Sequence, residues 1–371
     1  MKRVLFVANH KGFSKFNAPY MEWFKKQGWI VDNASPGIEV GIVDNQFDIE
    51  IQRAPFSLKN IKAYIKLKKI IKCNNYDIIH VHTPMGAFLG RLASIKARKN
   101  GAKVVYTAHG FHFFDGAPLK NWVIYYSIEK ILARFTDTLV TINMEDYYRA
   151  QESKLSSGDI FLINGVGVDL FKFHPLSQQE RKSKRQQLGL DSSDFIGLYT
   201  AQFIHRKNHR YILEQLLQII EKTPNFKMLF AGSGETLDEC KNYVNNLGLN
   251  NIVHFLGGRS DINELCGISD IYISSSIQEG LAIGDIEAMA CGCPLLLSNI
   301  RGHIEVCVDG RNGFLFNLSE KDNLSTLIFK LANDENLYKI ISKNNLLDVK
   351  KFDVKTEVEV MAKIYLQLIS E

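Results

Sequence analysis

The chain reads as an α/β protein of two domains, each a parallel sheet covered by helices. Three observations predict this. Short apolar runs alternate with helical patterns from Val4 to about Phe316. Several of these runs end directly in polar residues able to do chemistry, as strands of open parallel sheets do at their carboxyl ends. At 371 residues and 46% hydrophobic content, the chain can fill two cores of ordinary size.

The elements follow in order. Residues 2–8 open the chain as a strand; their apolar run is too short for a signal peptide and has no small-residue cleavage site. Residues 76–81 form a strand ending at His82, 103–107 one ending before His109, and 138–142 one ending at Asn143. Residues 163–169, followed by Phe171 and Pro175, read as a linker. Beyond it, strands are expected at 195–201, 227–231, 253–256 and 271–273, and a last helix at 354–369 has apolar residues at helical spacing. This predicts a first domain over 1–165, a second over 166–350 and a terminal helix over 351–371.

The most informative segment runs from Glu279 to Pro294. It follows the apolar strand 271–273 and Ser274-Ser275-Ser276, and continues into the helix formers Glu287-Ala288-Met289-Ala290. A helix start offers unpaired N–H groups to a phosphate, and carboxylates on either side of it are good acceptors for sugar hydroxyls. Alone, the pair reads more simply as Glu279 capping the helix and Glu287 solvated. Three other strand ends add to the pair. Arg206-Lys207 could neutralise a diphosphate, Gly232-Ser233-Gly234 could let backbone approach a ligand closely, and Leu256-Gly257-Gly258-Arg259 could hold a flat base. Four such loops within about ninety residues predict one nucleotide-sugar site.

The order and spacing of these elements, with Ser298 to His303 and Asp309 to Gly313, resemble the donor half of glycosyltransferase family 4, of the GT-B fold. In the first half, Tyr106 to Phe113, Gly116-Ala117-Pro118, Asn121-Trp122, Tyr125-Tyr126 and Thr141 to Tyr147 resemble the bacterial members that build exopolysaccharide, capsule and lipid-linked glycans. The resemblance covers the whole length. It implies two Rossmann-like domains facing a central cleft, with the terminal helix crossing back to the first. It also implies retaining, metal-independent transfer of a hexosyl or N-acetylhexosaminyl group, UDP-sugar being the expected donor and a glycan or polyprenyl-diphosphate-linked glycan the acceptor. His109, Arg206, Lys207 and Glu279 are then the catalytic candidates. Gly232, Ser233, Gly234, Leu256, Arg259, Gly280, Leu281, Ala282, Ile283 and Glu287 are expected at the donor, and His10, Gly12 and His82 on the acceptor side. Two departures stand out: Gln202 occupies a position where relatives carry arginine, and Asn9-His10-Lys11-Gly12 replaces the usual paired glycines.

Charge divides the halves. To Gly165 there are 23 basic and 14 acidic residues, and beyond it 22 and 26. Between Glu50 and Asp77 no acid occurs, while Arg53, Lys59, Lys62, Lys66, Lys68, Lys69 and Lys72 interleave with Leu58, Ile61, Ile65, Ile70 and Ile71. A basic helix over 58–72 fits an anionic membrane face as well as it fits an ordinary surface helix. Nucleic acid is disfavoured, since no aromatic stacking residues are interleaved with these lysines. No run reaches the eighteen or so apolar residues of a membrane span. Cys73, Cys240, Cys266, Cys291, Cys293 and Cys307 lack paired zinc spacing. No metal or other cofactor is expected, and the natural place is the cytoplasm, at the inner face of the membrane. A nicotinamide dehydrogenase is excluded, because Leu237 stands where its glycine fingerprint needs Gly or Ala. A GT-B sugar-nucleotide epimerase and a non-catalytic sugar-nucleotide-binding subunit stay open as alternatives.

Overall fold

A computed structural model describes all residues except 38–40, 55, 56, 321 and 371. The chain forms two compact units, one of Met1–Gly167 with Val354–Glu371, the other of Val168–Asp353.

The first unit holds seven strands: β1 (Arg3–Val7), β2 (Ile30–Ser35), β3 (Asn45–Asp48), β4 (Ile78–His82), β5 (Lys103–Ala108), β6 (Thr138–Thr141) and β7 (Asp159–Leu162). They pair in the order β3-β2-β1-β4-β5-β6-β7, every pair parallel. Such a sheet must be covered on both faces, which explains why Val4 to Ala8 and Ile78 to His82 are buried without alternation. Helices α1 (Phe13–Lys26), α2 (Leu58–Asn74) and α3 (Pro84–Lys99) supply part of the cover. The strand order reverses between β1 and β4, so a crevice for ligands opens at their carboxyl ends.

The C-terminal helix Val354–Ser370 belongs to this unit. Its Tyr365 stacks on Trp23 at 5.8 Å and reaches the His80 Nδ1 at 2.8 Å, and its Glu357 accepts hydrogen bonds from the Asn164 backbone N–H at 3.1 Å and side chain at 2.9 Å. These contacts anchor the helix with both aromatic packing and buried polar bonds.

The second unit has β8 (Phe195–Thr200), β9 (Phe226–Ala231), β10 (Val253–Gly257), β11 (Ile271–Ser274), β12 (Leu295–Ser298) and β13 (Gly313–Phe316), parallel in the order β10-β9-β8-β11-β12-β13. Here the order reverses between β8 and β11. Ile196, Leu198, Met228, Phe230, Ile273 and Leu295, all at 0% exposure, fill its core. Helix α4 (His209–Lys222) follows β8, and α5 (Ile283–Ala290) follows β11. Among the described residues no helix is long and apolar enough to cross a membrane.

Basic helix α2 differs from its sequence reading. Ala63, Leu67, Ile70 and Ile71 face the core, while Leu58, Ile61 and Ile65 are 79%, 58% and 61% exposed. The apolar residues thus split between two faces. Helical spacing alone reveals that apolar residues cluster, not which of them find a neighbour to pack on.

Candidate functional site

In the second unit, the loops after β8 and β11 meet at the switch point. Arg206 Nη1 donates to the Gln278 carbonyl at 2.7 Å and to Glu279 Oε2 at 3.1 Å, and Lys207 Nζ donates to Glu279 Oε1 at 2.6 Å. Glu279 is buried. Burial alone would raise its pKa, but the charges of Lys207 and Arg206, with hydrogen bonds from Lys207 and Ser276, outweigh it and hold the carboxyl below its ordinary value. Tyr199 supports the arrangement from beneath, its hydroxyl within 2.9 Å of both the Lys207 carbonyl and the Ser276 hydroxyl. Gly302 makes room: a Cβ there would lie 2.6 Å from that of Glu279.

Residues 280–284, all partly exposed, lead into α5. Ala282 occupies the cap and has no side chain able to take the first N–H groups, so the helix start is uncapped from the side chain. Glu287 lies one turn into the helix, partly exposed. Desolvation pushes its carboxyl up to about 7, opposed by the charge of Lys172. The two glutamates therefore differ: two paired cations hold Glu279 below its ordinary value, whereas at Glu287 desolvation outweighs the charge of Lys172.

The remaining donor-side candidates fall around these loops. Gly232 and Gly234 serve close packing, since a Cβ at either would lie 1.9 Å from the Ala201 carbonyl oxygen or 2.3 Å from that of Phe203. Ser233 between them is exposed. Leu256, Leu281 and Ile283 pack partly against the core. Arg259 is exposed and binds Asp261, Nε to Oδ1 at 2.8 Å.

Sequence reasoning passes over Asp285. It reads as an acid in a first helical turn, a place where acids are usually solvated. Instead it is 1% exposed, neither carboxyl oxygen has a hydrogen-bond partner, and Oδ2 lies 3.5 Å from His303 Nε2. Burial, then the charge of Glu279, raises its pKa well above the carboxylate range. His303 is also buried and lowered to about 4, with Nδ1 2.7 Å from the Ser298 carbonyl and Nε2 3.1 Å from Ser274 Oγ. Burial thus disfavours the charged form of both the acid and the imidazole that faces it close to Glu279.

In the first unit, His10 is exposed in the loop after β1, and Gly12 precedes α1 at φ +81°, a conformation that favours glycine. His109 follows β5 and is partly exposed, with Phe16 edge-on at 5.9 Å. Its Nε2 lies 3.1 Å from His82 Nδ1. Desolvation lowers His109 to about 4. His82 ends β4 and is wholly buried, 4.6 Å from the Phe13 ring and 4.0 Å from that of His80. The expectation that His82 meets an acceptor is corrected by this burial. A residue one strand position earlier or later would point elsewhere, and the ending residue of β4 points into the core beneath His109.

Among the described residues, no three His, Cys, Asp or Glu side chains group as metal ligands would. The family model for glycosyl transferases group 1 matches residues 180–347, and that for glycosyl transferase 4-like proteins matches 3–143. The chain is 39% identical to the proposed glycosyltransferase EpsD of Bacillus subtilis over 98% of its own length and 96% of that protein's. It is 30% identical to the Escherichia coli UDP-Gal:alpha-D-GlcNAc-diphosphoundecaprenol alpha-1,3-galactosyltransferase, with 84% and 81% covered. In fold it matches Anabaena Alr3699/HepE, solved with UDP and glucose, at a TM-score of 0.81 and 20% identity, over 99% of this chain and 100% of that one. With its two parallel-sheet units and these matches along nearly its whole length, the chain belongs to glycosyltransferase family 4 and has the GT-B fold.

Proposed function

We propose that this glycosyltransferase moves a sugar from a UDP-sugar, with retention of configuration, to a glycan or polyprenyl-diphosphate-linked acceptor in surface-polysaccharide or glycan assembly. The observation that carries the reading is the convergence of Arg206 and Lys207 on Glu279 beside the uncapped start of α5. Two cations and a helix start suit a diphosphate. Glu287, whose carboxyl desolvation raises despite Lys172, suits a ribose diol. Names among relatives agree: the Escherichia coli enzyme acts on a GlcNAc-diphosphoundecaprenol, and a Campylobacter jejuni relative at 27% identity on a bacillosaminyl-diphospho-undecaprenol.

In this mechanism the bond between the anomeric carbon and the diphosphate oxygen breaks first. Arg206, Lys207 and the α5 start stabilise the negative charge that grows on the leaving group, without a metal ion. The acceptor oxygen attacks the same face, and its proton passes to the departing diphosphate. Glu279 is a poor nucleophile because Lys207 and Arg206 hold its oxygens; it accepts hydrogen bonds from hydroxyls of the transferred sugar. His109 holds another part of that sugar. Helix α2 docks on the anionic inner face of the cytoplasmic membrane, its exposed Leu58, Ile61 and Ile65 inserted and Lys62, Lys69 and Lys72 flanking them.

Calorimetric titration with UDP, with GDP, UMP and NAD as controls, tests the donor assignment. UDP should bind best, and Glu287→Ala should weaken it about tenfold or more, the worth of hydrogen bonds to a charged acceptor. NAD binding, or no nucleotide binding, would remove the assignment; sugar interconversion without acceptor would favour the epimerase. Exchange of Lys62, Lys66, Lys69 and Lys72 for glutamine should reduce sedimentation with anionic vesicles, and unchanged sedimentation would make α2 an ordinary surface helix.

A further inference from the structure

His80 and His82 on β4 and His109 just after β5 form one ladder that the mechanism above uses only at its last, partly exposed rung. The Tyr365 hydroxyl lies 2.8 Å from His80 Nδ1, and His80 Nε2 lies 2.8 Å from Thr107 Oγ1, so both nitrogens of His80 are satisfied. The His80 ring packs on that of His82 at 4.0 Å, and Phe6 and Phe13 close the other sides at 6.1 and 4.6 Å. His82 therefore has a single polar outlet, Nδ1 to His109 Nε2 at 3.1 Å, while its own Nε2 is buried with no partner.

That orphan nitrogen decides the direction of the bond. If His109 donated, the proton of His82 would sit on Nε2 as a buried N–H without an acceptor. If His82 donates, only a lone pair is left unfilled. Buried orphan donors are rarer in folded proteins than under-used acceptors. From this we infer that His82 is a positioning residue, donating from Nδ1–H to His109 Nε2 and so fixing His109 as the Nδ1–H tautomer with that N–H free for a sugar oxygen. The inference rests on the proposed role of His109 at the transferred sugar. Through this bond a fully buried residue determines whether His109 meets the sugar as donor or acceptor.

Nitrogen-15 NMR of histidine-labelled full-length protein reads the tautomer directly, with His109→Gln identifying the His109 signals. The wild-type protein should show His109 protonated at Nδ1. His82→Phe removes the donor and should return His109 to the Nε2–H form, while His82→Asn, whose amide can donate to the same nitrogen, should keep the Nδ1–H form. In transfer assays His82→Phe should lower kcat roughly ten- to hundredfold, the cost typical of losing a partner that orients an imidazole, with UDP affinity unchanged and partial rescue in His82→Asn. An Nε2–H tautomer in the wild type, or one indifferent to His82→Phe, overturns the inference. The tautomer result is independent of activity: if His109→Gln leaves transfer intact, it is the sugar-contact role of His109 that fails.

Discussion

The two units place opposite electrostatics at equivalent ends of their sheets. In the first, β4 and the loop after β5 carry His80, His82 and His109, all pushed toward the neutral form by burial and ringed by Phe6, Phe13 and Phe16. In the second, the loop after β8 carries Arg206 and Lys207, each paired with Glu279 in the loop after β11. The first arrangement orients hydrogen bonds without charge, as recognition of a neutral sugar requires. The second holds cations ready at fixed positions, as stabilisation of a leaving anion requires, because charges already in place need no reorganisation when the bond breaks.

The most direct way to break this contrast is to remove a cation. Lys207→Ala should lower kcat about 100- to 1,000-fold, the usual loss for one preorganised contact to a developing anion. Glu279→Ala should also impair transfer strongly, yet leave UDP binding nearly intact, since it frees both cations for the diphosphate. Equal losses of transfer and of UDP affinity in both variants would show that the cluster is structural rather than catalytic.

Glu287 sharpens the comparison within the second unit. Its carboxyl is held up near 7 by desolvation, so in the free protein it is largely protonated at pH 6 and ionised at pH 8. Ribose hydroxyls donate best to the ionised form. UDP affinity should therefore rise between pH 6 and pH 8, by at most about tenfold per pH unit for one group, and Glu287→Gln should remove that part of the rise. The diphosphate titrates equally with both proteins, so the difference between their calorimetric pH profiles isolates Glu287. Parallel profiles would exclude it from the nucleotide site.

How far these features are legible in the sequence depends on how local they are. The apolar runs of β4, β5, β8 and β11 announce parallel strands, and the residue types of Arg206, Lys207 and Glu279 announce anion chemistry. Their convergence is not readable, because Lys207 and Glu279 lie 72 residues apart and meet only through the strand order. Strand β2 escapes an apolar reading because Asp32, Asn33 and Ser35 are buried within it. Asp32 is accommodated by Arg3, Tyr76 and Asn45, partners brought from other strands and loops. Asp285 and His82 mislead for the same reason: their residue types suggest exposure, and only packing reveals that both are enclosed.

Acid should separate the units. A histidine whose folded pKa is depressed binds fewer protons folded than unfolded below about pH 6.5, so it takes away stability as pH falls toward the folded value, on the order of 1 kcal/mol per pH unit for each group. The first unit has three such histidines, His80 near 3 and His109 near 4 among them, opposed by Glu357, whose raised pKa acts in the other direction. In the second, three histidines, His209, His254 and His303, are also depressed, but they are offset by two carboxyls, Asp285 and Glu287, both raised. Lowering the pH from 7 to 5 should therefore open the first unit before the second. Hydrogen exchange at the two pH values reads this, and an earlier loss of protection in the second unit would refute it.

The smallest effect is expected at Arg259, and it separates a buried ion cluster from an exposed one. Arg259 pairs with Asp261 only two residues away, in a loop where its side chain is 31% exposed, whereas Glu279 sits at 7% between its two cations. Solvent and salt screen the exposed pair, so its net worth is roughly 0–1 kcal/mol. Arg259→Ala should change UDP affinity less than about threefold, within that range, and any change should vanish at high salt. A tenfold loss that persists in salt would mean that Arg259 leaves Asp261 to bind the nucleotide, and the ion pair seen here would then be a resting contact that the donor displaces.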